Sequence, residues 1–160
     1  MKPLPIVVGR SCGGCTACCK THAADVWKAK GGEYCDRCQI GVGCSIYEDR
    51  PEGCRTFKCH WLRGAGEESD RPDRLKVVVT SQHLSFRGRD ITVMGLWEVE
   101  GDTLHVPRVR QMIVRAIKSG FVVVRRPYGQ QPFYHFPADA FSEEEYGLVV
   151  ELVERHLRGQ

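Results

Sequence analysis

The chain has 160 residues, of which 42% are hydrophobic and 27% charged, and its formal net charge is +3. This length and composition are typical of a globular protein that buries a sizeable core without cross-links. No apolar run approaches the ~20 residues of a membrane-spanning helix. Cysteines that bind metal do so as thiolates, which would bring the net charge close to zero. The composition therefore predicts neither a membrane protein nor, from bulk charge, a nucleic-acid-binding one.

The N-terminal residues, MKPLPIVVGR, do not have the pattern of a secretory signal, because their apolar part is short and interrupted by prolines. We therefore expect a cytoplasmic protein, whose thiols stay reduced. This expectation matters because the chain has nine cysteines, and all of them precede residue 60.

The first part of the chain, residues 10–62, combines these cysteines with glycines that suit tight loops around a metal. Within it, residues 23–30 are predicted to form a short helix that ends at Gly31 and Gly32. Residues 63–74 are polar and contain Gly and Pro, which predicts a linker or surface loop. The predicted organisation is a cysteine module at 1–62, this linker, and a small α+β region at 75–160 that can be continuous with the module.

The region from residue 75 onward alternates between strand-like and helix-like patterns. Apolar runs predict strands at residues 75–81, 91–98, 104–106, 121–125 and 133–136. An apolar face predicts a helix over residues 108–119 that ends at Gly120. Ser142 and Glu145 form a capping-box pattern that opens a second helix. The fold class that follows is α+β, with a loop-rich cysteine module packed on a small body of mostly antiparallel strands and two helices.

The cysteines occur in two groups with the spacing of metal ligands. The first has the pattern Cys-x2-Cys-x2-Cys-Cys, and the second contains two residues in a Cys-x2-Cys pair. The members are Cys12, Cys15, Cys18 and Cys19, then Cys35, Cys38, Cys44, Cys54 and Cys59. Two intervening residues let successive thiolates turn toward one centre, as in half of a zinc site or in the loop that holds an iron–sulfur cubane. Sulfur-rich sites suit both zinc ions and iron–sulfur clusters. The pattern therefore predicts a metal site but does not distinguish between these two kinds.

Disulfide pairing and burial as inert thiols are the alternatives. An odd number of cysteines and the lack of an export signal disfavour disulfides. Inert buried thiols are common, but nine of them at regular spacings in one stretch are poorly explained in that way.

The residues from Cys35 to Leu62 read CDRCQIGVGCSIYEDRPEGCRTFKCHWL. Together with the first group they resemble the YkgJ-type CxxCxxCC cysteine-cluster family, which is regarded as zinc- or iron-chelating. The resemblance covers about the first 62 residues and implies that all the cysteines except Cys35 occupy the family's cysteine positions. Flagellin lysine N-methylases carry a similar cluster and are thought to use iron–sulfur chemistry. They are much longer chains, so the resemblance does not extend to methylase activity.

Three further residues, Tyr47, Arg50 and Arg55, belong to the same motif. In one interpretation the arginines donate hydrogen bonds to thiolates or to a bound anion and so tune the metal. In the other they belong to a loop pinned by Pro51 and by an ion pair of an arginine with a neighbouring carboxylate.

Several other polar residues have two interpretations each. His22 and His60 lie next to cysteines and are candidate ligands, although nine thiols make neither of them necessary. Six basic residues can form a patch for nucleic acid, or equally a solvated helix face and strand end. They are Arg108, Arg110, Arg115, Lys118, Arg125 and Arg126.

Three functions fit the sequence. The first is a metal-binding protein with a chelating, carrier or structural role, which saturated thiolate sites favour, because catalysis needs an open coordination position. The second is an iron–sulfur-dependent enzyme or redox protein, related to the flagellin lysine N-methylases, which an excess ligand or an incomplete cluster would favour. The third is a zinc-stabilised module that docks a protein or RNA.

Overall fold

The computed structural model describes residues 6–22 and 32–158. The helix predicted at 23–30 falls outside these ranges. The described helices are α1 (Cys18–Thr21), α2 (Glu52–Thr56), α3 (Pro72–Leu75), α4 (Pro107–Lys118) and α5 (Glu143–Arg158). The strands are β1 (Cys38–Gln39), β2 (Gly43–Cys44), β3 (Val77–Phe86), β4 (Arg89–Glu98), β5 (Val122–Arg126) and β6 (Phe133–His135). The predicted α+β class is confirmed.

The main sheet has the order β3-β4-β5-β6. β3 and β4 form a hairpin whose loop residues, Arg87 and Gly88, both have positive φ, at 50° and 76°. Two such residues match the twist of the flanking strands. β4 and β5 are parallel, and a parallel pair needs a crossover, which α4 provides. β5 and β6 are antiparallel, so most pairs in this sheet are antiparallel, as predicted.

The strand predicted at 104–106 is wrong, because Thr103–His105 form a 3-10 helix. Hydrogen bonds to Lys76 and Glu98, and not the local apolar pattern, determine the backbone here. The Thr103 hydroxyl donates to the Lys76 carbonyl at 3.2 Å, and the Leu104 amide donates to the Glu98 carboxylate at 3.2 Å. This turn buries Leu104, which is 2% exposed.

The sheet lies between the two long helices. Alternate residues of a strand face opposite sides, and Val123 packs toward α4 whereas Val122 and Val124 pack toward α5. Periodic apolar residues of α4, among them Val109 and Ile113, bury its inner face. The long helices and their apolar faces therefore follow the sequence pattern.

A third core joins the cysteine segment to the sheet. Ala17, Cys59 and Trp61 are buried together with Val78 and Val99. The Lys20 ammonium adds a hydrogen bond of 2.6 Å to the Val99 carbonyl. The predicted division at residues 62 and 75 stays a prediction, but the two parts share these buried contacts. Among the helices in the described ranges, none is both long and apolar enough to cross a lipid bilayer.

Candidate metal centre

Eight of the nine cysteines line one cavity of about 80 Å³. They come from positions 12 to 54 of the chain, and the fold brings them to one place. They are Cys12, Cys15, Cys18, Cys19, Cys35, Cys38, Cys44 and Cys54. The ninth, Cys59, is 7% exposed and lies in the third core. The cavity therefore gathers the whole first group and every member of the second group except Cys59.

Short backbone elements hold these cysteines. α1 begins at Cys18 and carries Cys19, while Cys38 and Cys44 lie directly opposite each other in the β1–β2 pair. The Cys35 amide donates a 3.0 Å hydrogen bond to the Cys19 carbonyl. Cys54 is carried by α2, which starts after a proline that suits a helix N-terminus.

The first cysteine group and the β1–β2 hairpin touch through their backbones. A Cβ atom on Gly14 would lie 2.5 Å from the Gly41 carbonyl oxygen. The Gly41 amide in turn donates to the Thr16 hydroxyl at 3.2 Å. Only a residue without a side chain permits this approach, so Gly14 sets the distance between the two cysteine-bearing segments.

Neighbouring thiols affect one another's ionisation. A hydrogen bond with Cys18 and burial raise the pKa of Cys19 well above its usual range. Burial and the nearby Cys19 raise the pKa of Cys38 to about 11. Burial, followed by the proximity of Cys59, raises the pKa of Cys12. Thiols in such a cluster carry protons at neutral pH unless a cation is present, because thiolates repel each other and lose hydration.

Backbone amides point at three of the sulfur atoms. The Arg37 amide lies 3.5 Å from the Cys35 sulfur. Backbone amides also lower the pKa of two other thiols: those of Ala17 and Asp73 act on Cys15, and those of Leu62 and Trp61 act on Cys59. Amide hydrogen bonds to sulfur stabilise the thiolate form and tune thiolate-bound metal centres.

Each of the nine cysteines lies within the described ranges and is a free thiol. Across those same ranges, no three His, Cys, Asp or Glu side chains stand in the arrangement of a formed metal site. The fit to a metal therefore rests on the donor set: eight thiols face one small cavity, and amides are directed at sulfur. Soft sulfur donors of this kind suit zinc and iron–sulfur clusters.

Arg50 lines the cysteine cavity, whereas Arg55 does not. The Arg50 guanidinium lies 3.5 Å from the centre of the Tyr47 ring, and both residues line the cavity. The positive charge of Arg50 opposes the burial that raises the pKa of Cys12. Arg55 is exposed, and its Nε–H donates to the Arg50 carbonyl at 2.6 Å. Within the described part of the chain, neither arginine forms an ion pair with Asp49 or Glu52.

The two candidate histidines are separated by the fold. His22 lines the cysteine cavity, with its ring centre 4.4 Å from those of Phe57 and Trp97. Burial and the nearby Arg126 lower the pKa of His22 to about 3, so its ring is neutral at neutral pH. His60 lines a different cavity. Of these two histidines, only His22 lines the cavity of the eight thiols.

Sequence reasoning missed Thr16, which lies between two cysteines of the first group and is 5% exposed. Its hydroxyl accepts from the Gly41 amide at 3.2 Å and hydrogen-bonds to Cys38, which opposes the burial that raises the pKa of that thiol. Thr16 occupies one of the positions written x in the CxxCxxCC pattern, so the pattern alone gives no indication of its role.

Three of the six basic residues of the C-terminal half form contacts within the chain. Arg108 pairs with Asp70 at 2.5 Å, and Arg126 pairs with Glu154 at 2.6 Å. Arg125 lies 5.3 Å from the centre of the Phe133 ring. Half of the predicted basic patch is thus engaged within the chain.

No protein-family model matches the chain, and no curated protein or solved structure shows significant similarity to it. Its function is therefore inferred from the residues and the geometry described above. The decisive feature is the convergence of thiols on one cavity.

Proposed function

We propose that this protein binds metal through its N-terminal cysteines, as zinc–thiolate sites or as an iron–sulfur cluster, in a chelating, carrier or structural role. The observation that carries the proposal is the single cavity lined by eight cysteines. A reducing compartment such as the cytoplasm keeps such thiols available for metal.

Two further features support metal over idle thiols. Buried thiols crowd together, and their raised pKa values reflect an electrostatic cost that a cation removes. Amides already point at Cys15, Cys35 and Cys59. Inert core cysteines need neither the crowding nor the amide donors.

The contacts favour two neighbourhoods of ligands. Cys12, Cys15 and Cys59 pack at the third core. Cys19 associates with Cys18 and Cys38. Under this grouping the first cysteine group supplies ligands to both sites. Tyr47 and Arg50 then border the centre, while Arg55 holds the loop that carries Arg50.

An iron–sulfur-dependent enzyme or redox protein is a second candidate. It is favoured by a specific observation: the cavity wall includes His22, Tyr47 and Arg50 besides the thiols. Polar groups that are not sulfur ligands could contact a small substrate bound beside a metal with an open position.

Anaerobic purification of the full chain tests the proposal directly. Metal analysis, acid-labile sulfide and the visible spectrum are measured on the same sample. A brown protein with iron and sulfide would identify an iron–sulfur centre, and a colourless protein with about two zinc ions would match eight thiols at four per zinc. A protein that takes up neither zinc nor iron, with all thiols reduced, would reject metal binding.

A further inference from the structure

A second cavity, which we call the α4 cavity, lies between α4 and the segment that follows the cysteines. Its volume is about 170 Å³, and its wall contains none of the nine cysteines. Its walls come from residues 60–72, from two strands of the main sheet and from one face of α4. It is therefore a separate site from the proposed metal centre.

The floor of the α4 cavity is apolar. It is formed by Val79 and Met94, each 8% exposed, together with Pro72 and the half-buried Met112. Methionine adapts its shape to a ligand and contacts aromatic rings favourably. An apolar cavity of ~150 Å³ accommodates a molecule of the size of benzene, whereas sites for drug-sized ligands are ~300–1,000 Å³. The occupant is consequently small.

The rim of the cavity is basic. Arg108, Gln111 and Arg115 lie on one face of α4, since they are three, four and seven positions apart. Arg108 uses Nε and Nη2 for Asp70, and its Nη1 takes no part in that pair. Arg115 is exposed, and no carboxylate of the described residues lies within ion-pair distance of it. The lining of the cavity thus carries two guanidinium groups and one carboxylate, and that carboxylate is already engaged by Arg108.

We propose that the α4 cavity binds a small organic anion of the aryl or short branched carboxylate class. The carboxylate lies at the rim, where Arg115 and the remaining donors of Arg108 recognise it. The apolar group lies against Met94 and Met112. An inorganic anion leaves the apolar floor without a partner, and a metal cation finds too few ligands, because the lining offers only His60 and the Asp70 carboxylate, which Arg108 already engages.

Benzoate is a suitable probe, with benzyl alcohol as its neutral counterpart. Titration of the 160-residue chain, 13C-labelled at the methionine methyl groups, is followed by NMR. We expect saturable shifts of the Met94 and Met112 methyl signals with benzoate and much smaller ones with benzyl alcohol. Arg115→Gln should weaken benzoate binding by about tenfold, as the loss of one charge-assisted contact predicts.

Arg110→Gln is the matched control. It removes the same charge from the same helix, but Arg110 is exposed and does not line the cavity, so its affinity for benzoate should stay at the wild-type value. If both substitutions weakened benzoate binding equally, the effect would come from the overall charge of the protein, and the proposed site would be overturned. Equal binding of benzoate and benzyl alcohol, or the absence of saturable shifts up to tens of millimolar benzoate, would also overturn it.

Discussion

The Asp70 carboxylate receives two hydrogen bonds from Arg108, of 2.8 Å from Nε to Oδ1 and 2.5 Å from Nη2 to Oδ2. A third comes from the Glu67 amide at 2.8 Å. The Asp70 side chain is 4% exposed, whereas that of Arg108 is 35% exposed. The pair fixes the segment after the cysteines to the start of α4, so the polar residues 63–74 are held to the body at this point.

Replacing Asp70 by Asn should therefore destabilise the whole chain. We expect the free energy of unfolding to fall by about 1–3 kcal/mol, because charge-assisted hydrogen bonds to a buried carboxylate are lost. Urea denaturation measures the change. Glu68→Gln is the control, because Glu68 is 56% exposed and pairs only at the surface. Its effect should stay within about 0.5 kcal/mol, and equal losses in the two variants would contradict this role of Asp70.

The stabilisation by Asp70 should also depend on pH. The hydrogen bonds from Arg108 hold the pKa of Asp70 below its usual range. A carboxyl with a lowered folded-state pKa stabilises the protein above its unfolded-state pKa of ~3.9. The difference in unfolding free energy between wild type and Asp70→Asn should then be constant near neutrality and shrink as pH falls through the folded-state pKa. A difference that grows toward acid would have the wrong sign.

Gly14 and Gly53 provide a matched test of the cysteine cavity. Each precedes a cysteine, but a Cβ on Gly14 meets the Gly41 carbonyl at 2.5 Å, whereas one on Gly53 meets nothing within 4 Å. Gly14→Ala should push the hairpin away and lower affinity for zinc by about tenfold or more, since ligand placement within a few tenths of an ångström is required. Gly53→Ala should bind normally. Competition with a chromophoric chelator measures the zinc affinity of both variants. Unchanged affinity in Gly14→Ala would show that the position of the hairpin does not affect zinc binding.

Replacing Cys15 or Cys54 by Ser should lower metal content and the melting temperature together, because metal binding and folding of this segment are coupled. Ser11→Ala, next to the first cysteine and exposed, should leave both unchanged. Metal content by mass spectrometry and thermal unfolding are recorded on the same preparations. Wild-type stoichiometry and melting in both cysteine variants would remove these residues from the ligand set.

The body of the fold can be tested independently of metal. Leu96 is 0% exposed and lies in the core beneath α4, so Leu96→Ala should cost about 2–5 kcal/mol of unfolding free energy. Leu148 on α5 is 41% exposed, and Leu148→Ala should cost less than about 1 kcal/mol. Chemical denaturation of the two variants gives the comparison, and similar losses would mean that the core is placed wrongly.

Much of the body could be predicted because its signals are local. The apolar face of residues 108–119 predicted α4, and Gly120, with a φ of 84°, ends it as expected. The capping box was visible as well, since the Ser142 amide donates to the Glu145 carboxylate at 3.1 Å. The strand predicted at 104–106 failed because the backbone there is determined by tertiary contacts, with the distant Lys76 and with Glu98 six residues before Leu104.

The candidate site was predictable in its residue types but not in its arrangement. Spacing identified the cysteines as a set, yet it could not show that Cys59 lies behind the cavity with Val78 and Val99. Nor could it distinguish Arg50, which borders the thiols, from Arg55, which holds the loop. Such distinctions depend on contacts between residues that are distant in sequence, and a single chain carries no local signal for them.

Under the proposed function, the burial of Cys59 among Val78 and Val99 would couple metal binding to the stability of the main sheet. A ligand that binds only the folded state raises the unfolding free energy in proportion to the logarithm of its concentration over its dissociation constant. Since that sulfur shares its surroundings with a strand of the main sheet, starvation for metal would loosen the sheet along with the loops. Under the proposed function, scarcity would then shorten the lifetime of the whole molecule against proteases, and cellular abundance would follow metal availability.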